Sequence, residues 1–209
     1  MLAYLSWHRP AAGVEQQRYE QALERFHRSL AHRPPSGFHG SATVRLPELP
    51  WLAPQARGAH AFTPDPDAPD GPGQPGYEDW YLIDDWAAVG VLEEAAVSHG
   101  HLTAHDAAAK QAGAATGAVY RLEEGRPRLD ASCAVWVARR SSHEHPSLGA
   151  LLGDGMDPER DGLWRRCIGL GPAPEHCLLA AEPPAGIGAE RLPEGWIAKT
   201  LVRETIWSG

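Results

Sequence analysis

The stretch YEDWYLIDDWAAVGVLEEAAV, residues 77–97, passes from a strand pattern to a helix pattern across two aspartates. Tyr77 to Ile83 is a short run rich in aromatic and apolar residues, as a strand requires. Asp84 or Asp85 can then accept hydrogen bonds from the first free N–H groups of a helix that begins directly after it.

Upstream, LAYLSWH (2–8) reads as an opening strand closed by Arg9-Pro10. VEQQRYEQALERFHRSLAH (14–32) follows, with Val14, Tyr19, Leu23, Phe26 and Leu30 on one helical face among charged residues. Pro34-Pro35 ends that helix, and FHGSATVRL (38–46) is the next strand. Residues 53–76 are so rich in Pro, Gly and Asp that they form a long loop, read either as a lid or as a surface insertion. Downstream, the His-rich turn SHGHL (98–102) leads to a helical piece, HDAAAKQAGA (105–114), with Thr103 and Asp106 spaced as a capping box. AVYRLEE (118–124) then completes the order strand-helix-strand-strand-helix-strand, the ferredoxin-like order.

The remaining chain repeats this order in trimmed form. SCAVWVARR (132–140) is a strand, PSLGALLGDG (146–155) a short helix, and LWRRCIGLG (163–171) with EHCLLAAE (175–182) a hairpin. WIAKTLVRETIW (196–207) is the last strand. The expectation is an α+β chain of two ferredoxin-like βαββαβ units with antiparallel sheets, residues 1–125 and 126–209, the second reduced.

With both halves laid out, the chain resembles the dimeric α/β barrel superfamily, in which two ferredoxin-like units pair their sheets into a barrel. YLSWHRP, YEDWYLI with DWAAVGVLEEAAV, and LWRRCIGLGPAPEHCLL are similar to segments of uncharacterised actinobacterial proteins. The resemblance implies a pseudo-dimeric barrel within one chain. It also implies a small-molecule pocket, between sheet and helices or inside the barrel, and a possible homodimer. Superfamily members include cofactor-free monooxygenases, lyases and isomerases of small acids and lactones, and haem enzymes, and fold does not choose among them.

Composition excludes several classes. A net charge of -8, from 27 acidic against 19 basic residues, lacks the basic stripe that nucleic acid or an anionic membrane surface needs. No apolar run reaches the length of a membrane span, and no signal-peptide pattern opens the sequence, so the expected location is cytoplasmic. Cys133, Cys167 and Cys177 form no CxxC pair and read as buried, reduced side chains. Phosphate-loop, dinucleotide-binding, nucleophile-elbow and covalent-haem motifs are absent.

Chemistry must therefore come from scattered residues. His99, His101 and His105 lie within seven positions. They are candidates for a divalent metal or haem ligand set, or for a general base at His105, with a solvated His-rich turn as the structural alternative. His143-Glu144-His145 reads as an exposed helix entry. Alternation puts Tyr4, Ser6 and His8 on one face of the first strand, and Glu78 and Trp80 opposite Tyr77, Asp79 and Tyr81 on the third. Adjacent central strands would bring His8 or Arg9 near Glu78 or Asp79. Trp80, Tyr81, Tyr4 and Trp136 are candidate pocket walls, and Arg166 a candidate anchor for a carboxylate or phosphate.

The leading functional expectation is a small-molecule enzyme of specialised metabolism. It would use acid–base chemistry without a cofactor, as an isomerase, lyase, cyclase or cofactor-free monooxygenase. His105 would be the base, assisted by His8 and Glu78. A haem- or metal-dependent oxidoreductase and a non-catalytic binding or assembly protein are the alternatives.

Overall fold

In the computed structural model, residues 1–52, 75–98, 100–139, 156–170, 173–183, 192 and 195–209 are described. The expected helix at 146–155, the His143–His145 turn, His99 and nearly all of the 53–76 loop lie outside them. The elements are β1 (Leu2–Pro10), α1 (Gln16–His32), β2 (Phe38–Leu46), a 3-10 turn (Pro50–Leu52), β3 (Gly76–Ile83), α2 (Trp86–Ala96), α3 (Leu102–Ala109) and β4 (Ala112–Gly125). They continue with β5 (Cys133–Arg139), β6 (Gly162–Gly169), β7 (His176–Ala180), β8 (Trp196–Val202) and β9 (Glu204–Ser208). Among the described residues no helix is long and apolar enough to cross a membrane.

Local chemistry accounts for most of these boundaries. The α1 face predicted from the 3.6-residue period is the one buried, through Tyr19, Leu23, Phe26 and Leu30, with Ala22 and His27 beside them. Asp85 caps α2, its carboxylate accepting from Ala87 N at 2.9 Å and Ala88 N at 3.1 Å. The Thr103 cap is not formed. A turn from Ser98 O to His101 N starts α3 two residues earlier, so His101 sits at the N-cap and Asp106 turns to Lys110 instead. The helix also stops short of 114. Ala112 to Thr116 extend β4 because β1 offers them an antiparallel partner, which overrides the weak strand preference of Ala and Gly. Cys133 and Cys177 are buried as expected, but Cys167 is exposed, because β6 turns its outer end to solvent.

The nine strands of the described residues form one antiparallel sheet in the order β8-β5-β7-β6-β4-β1-β3-β2-β9. The first four strands of the chain are ordered β4-β1-β3-β2, and the next four β8-β5-β7-β6. The β4–β6 ladder, from Ala118↔Gly169 to Gly125↔Gly162, joins the two sets.

The expected final strand is broken, and the break shapes the molecule. β8 ends at Val202 and β9 starts at Glu204, yet they occupy opposite ends of the sheet order. Nine flat strands at about 4.8 Å spacing would hold those ends roughly 38 Å apart. One intervening residue spans about 7 Å. The sheet must therefore curl until its ends meet, and Arg203 lies at the crossing. Trp7, Trp51, Trp80, Trp136 and Trp164 fill the interior with Leu5, Tyr120 and Leu179. Rings from distant strands meet there, Trp7 with Trp136 at 5.5 Å and Trp80 with Trp164 at 5.2 Å.

One ion pair is embedded in this core. Glu78 and Arg203 have fully buried side chains, with Arg203 Nε 3.3 Å from Glu78 Oε1. Trp7 Nε1 donates to Glu78 Oε2 at 3.0 Å and Trp80 Nε1 to Oε1 at 2.5 Å. Arg203 Nη1 donates to Leu129 O at 3.2 Å and Ala131 O at 2.7 Å. Burial pushes the Glu78 carboxyl up, opposed by Arg203 and the indole donors.

Removing one partner of such a pair strands the other in a low-dielectric core. Arg203→Met is expected to cost about 3–5 kcal/mol in urea unfolding, and Glu78→Gln with Arg203→Met together to recover most of it. A double variant as unstable as Arg203→Met alone would show that the two charges are not coupled.

Candidate active site

The face of the β1–β3 ladder turned away from the Trp core carries a different chemistry. Strand alternation sends Tyr4, Ser6 and His8 of β1 and Tyr77, Asp79 and Tyr81 of β3 toward the helices. The register sets Ser6 opposite Asp79, with His8 opposite Tyr77 and Tyr4 opposite Tyr81. His8 thus reaches Asp79 diagonally across the ladder, at a spacing long side chains bridge.

His8 Nε2 lies 3.0 Å from Asp79 Oδ2, and its Nδ1 lies 2.7 Å from the Tyr19 hydroxyl supplied by α1. Tyr81 donates to the same carboxylate oxygen at 3.3 Å. The other oxygen, Oδ1, faces His27 Nε2 at 3.3 Å, and His27 Nδ1 meets Ser41 Oγ at 2.8 Å. Every one of these side chains is buried. Burial alone would raise the Asp79 carboxyl, but His8 and His27 outweigh it and hold the carboxyl well below the usual range. Burial, with Asp79 nearby, pushes the Tyr19 hydroxyl far up. An arrangement that satisfies all three groups has His8 Nε2–H donating to the Asp79 carboxylate and the Tyr19 O–H donating to His8 Nδ1.

This chain of groups opens on a cavity of about 340 Å³ between the sheet and the helices. Its apolar walls are Leu23, Phe26 and Leu92, with Tyr4 and Tyr81 stacked at 6.0 Å between ring centres. Space is left by small residues, Ala96 of α2, Ala108 and Ala109 of α3, and Ala112 and Ala115 of β4. His105 borders the cavity from α3, edge-on to Phe26 at 5.4 Å, with its Nδ1 3.4 Å from Asp106 Oδ1. The volume and mixed lining suit a small organic molecule.

Of the candidates taken from the sequence, the structure brings together His8, His105, Tyr4 and Tyr81 around this cavity. Glu78, Trp80 and Trp136 lie on the opposite face, in the barrel core, because residues one apart on a strand point to opposite sides. Asp79, the neighbour of Glu78, is the carboxylate that meets His8. Arg166 is in the second half, bonded to Ala173 O and 3.6 Å from Glu175. His101 is buried beside α1, with its Nδ1 3.0 Å from Ser29 Oγ, and does not share a face with His105. Tyr19, His27 and Ser41 join the site without having been candidates from the sequence. Tyr19 sits on the apolar stripe of α1, and the one signal is a hydroxyl on a face of otherwise apolar residues.

Among the described residues no three His, Cys, Asp or Glu side chains are arranged to hold a metal ion. His8 commits both ring nitrogens within the protein. A group needing a single axial imidazole would find it in His105, whose Nδ1 alone is engaged.

No family model matches the sequence, and no curated protein matches it. Among solved structures, a candidate monooxygenase from Lactobacillus acidophilus NCFM superposes with a TM-score of 0.51 at 10% identity, over 100% of this chain and 98% of that chain. A candidate chlorite dismutase superposes with a TM-score of 0.47 at 9% identity, over 98% of this chain and 95% of that chain. The first likeness shows a shared fold, in the described residues a curled antiparallel sheet with helices packed on it.

Proposed function

We propose that the protein is an enzyme that moves a proton on an organic substrate held between the sheet and the helices of its first half. The observation that carries this reading is the Tyr19–His8–Asp79 chain opening on the cavity. Such a chain has the parts of a general base: an imidazole, a carboxylate that fixes its tautomer and stabilises the imidazolium, and an access group at the cavity. Because both His8 nitrogens are occupied, the proton travels through Tyr19. The phenol oxygen takes the substrate proton as its own hydroxyl proton passes to His8 Nδ1, leaving a neutral tyrosine, an imidazolium and a substrate anion. Tyr19 need not ionise on its own, which its burial opposes. His105, with Nε2 uncommitted, is placed to return a proton to the substrate at another atom.

The reaction classes this serves are isomerisation, elimination, cyclisation and cofactor-free oxygenation of an acidic carbon. On this reading residues 1–125 and 126–209 are two ferredoxin-like units forming a pseudo-dimer. Its support is the strand order, fourth-first-third-second in the first half and its counterpart in the second.

Deuterium uptake from D2O into a panel of enolisable carbonyl compounds and phenols tests the chemistry while the substrate is unidentified. His8→Gln and Tyr19→Phe are each expected to slow exchange by about 10²–10⁴-fold while the fold is retained by circular dichroism. Exchange undiminished in both variants would overturn the assignment, and a ligand bound without exchange would make the chain a binding protein.

The ionised Asp79 adds a pH dependence of stability. Its carboxyl titrates lower in the folded than in the unfolded chain, so its contribution is complete above about pH 4 and is lost as pH falls from there toward the folded value. Asp79→Asn is expected to be less stable than the parent at pH 7, with the gap narrowing as pH falls below about 4, read by urea unfolding. A gap that does not narrow on acidification would show that Asp79 is not held as a carboxylate.

A further inference from the structure

We infer that His27 is a positioning residue for the proton relay, holding the second oxygen of Asp79 so that the first is aimed at His8. The inference rests on the reading of His8 as proton acceptor and extends the site to a residue that does not line the cavity.

His27 lies on the buried face of α1 one position beyond Phe26, with no exposed surface. A buried imidazole without partners is costly, and a Leu would serve a helix packed on a sheet better. Every side of the ring is engaged. Its Nε2 is 3.3 Å from Asp79 Oδ1 and its Nδ1 2.8 Å from Ser41 Oγ. The Tyr81 ring stacks on it at 5.1 Å and 6°, and Trp207 of β9 tilts against it at 5.6 Å. Ser41 is itself fixed at the main chain, its N bonded to Gly209 O at 2.8 Å and its O accepting from Gly209 N at 3.1 Å.

Asp79 therefore divides its oxygens between two histidines. His27 Nε2 lies within ion-pair distance of Oδ1, without the alignment of a full hydrogen bond, and Nδ1 meets the Ser41 hydroxyl. The ring is clamped, so the carboxylate plane is set from the closed side and not by what enters the cavity. Preorganisation of this kind lets a charge be ready before the imidazolium forms. The other titratable groups around Asp79 are His8, Tyr4 and Tyr19, Tyr81 on its own strand, and Glu93 of α2.

The test reads Asp79 directly, by ¹³C NMR of its carboxyl carbon through an acid titration of the free protein. In His27→Phe the protonation midpoint is expected to move up toward the ordinary carboxylate range. In His27→Gln, which keeps an N–H donor, it should return most of the way to the parent value. Deuterium exchange in His27→Phe should fall about ten- to hundredfold in kcat with KM unchanged, the scale on which outer partners of functional histidine–carboxylate pairs act. Ser41→Ala, a small change at the far end of the chain, should give a smaller shift in the same direction and supplies the measurement if His27→Phe does not fold. An Asp79 midpoint unmoved in both Phe and Ala variants would overturn the role of His27. Exchange that persists undiminished in the His8 variant would instead overturn the relay, leaving the carboxyl titration to be read independently.

Discussion

Arg203 stands where the chain leaves one end of the sheet and joins the other, and its guanidinium reaches inward to Glu78 on β3. Closure and core charge are thus settled by one residue. Were β8 to run on into β9, both segments would lie on one edge and the sheet could remain open. Breaking the strand at Arg203 sends the last strand to β2, where Trp207 and Gly209 reach His27 and Ser41. An edge that would otherwise expose unpaired backbone groups is covered in the process. A buried pair is rarely the most stable filling for a core, so its role here is better described as registry. In this placement Arg203 faces Glu78 while its guanidinium also bonds Leu129 O and Ala131 O.

The same two strands carry the frame and the site on opposite faces. Trp7 precedes His8, and Glu78 precedes Asp79. Trp7 is hydrogen-bonded to Glu78 inside the barrel, and His8 to Asp79 outside it. Two cross-strand pairs one residue apart therefore pin the β1–β3 register from both sides. A one-residue slip would put Trp7 where His8 is and expel both carboxylates from their partners. The rigidity a proton relay needs, with reacting groups held within a fraction of an ångström, comes from the Trp core behind it.

The sequence made the order of elements legible because punctuation and periodicity agreed: Pro34-Pro35 after α1, Asp85 before α2, and an apolar stripe matching the buried one. Strand alternation also placed Tyr4 and His8 on a face together and separated Asp79 from Glu78. The partner of His8 stayed open between those two carboxylates, since only the diagonal geometry of the ladder selects Asp79. The break at Arg203 was illegible for a related reason. Nothing in WIAKTLVRETIW marks a stop; the segment divides because Arg203 gains a buried counter-ion, Glu78, on a strand far earlier in the chain. Tyr19 and His27 were hidden by good helix patterning, since a tyrosine and a histidine on a buried stripe read as core until the strand facing them is known.

The second half supplies a control for the first. On the proposed equivalence of the halves, β5 and β7 correspond to β1 and β3, and Val135↔Leu178 takes the place of Ser6↔Asp79. The face that carries Tyr4, Ser6, His8, Tyr77, Asp79 and Tyr81 in one half is built from Cys133, Val135, Val137, His176, Leu178 and Ala180 in the other, all but Tyr4 and Ser6 buried. This architecture is packed at that place mainly with apolar side chains, His176 being the one polar exception among these residues. A buried carboxylate with two imidazoles, two phenols and a serine is a more demanding solution, in which every member must be satisfied for the network to be tolerated. The half that has it is also the half in which α1, α2 and α3 leave a cavity beside the sheet, around Ala96, Ala108, Ala109 and Ala115. Polar groups and space occur together in that half, which is the arrangement expected if the network exists for what enters the space.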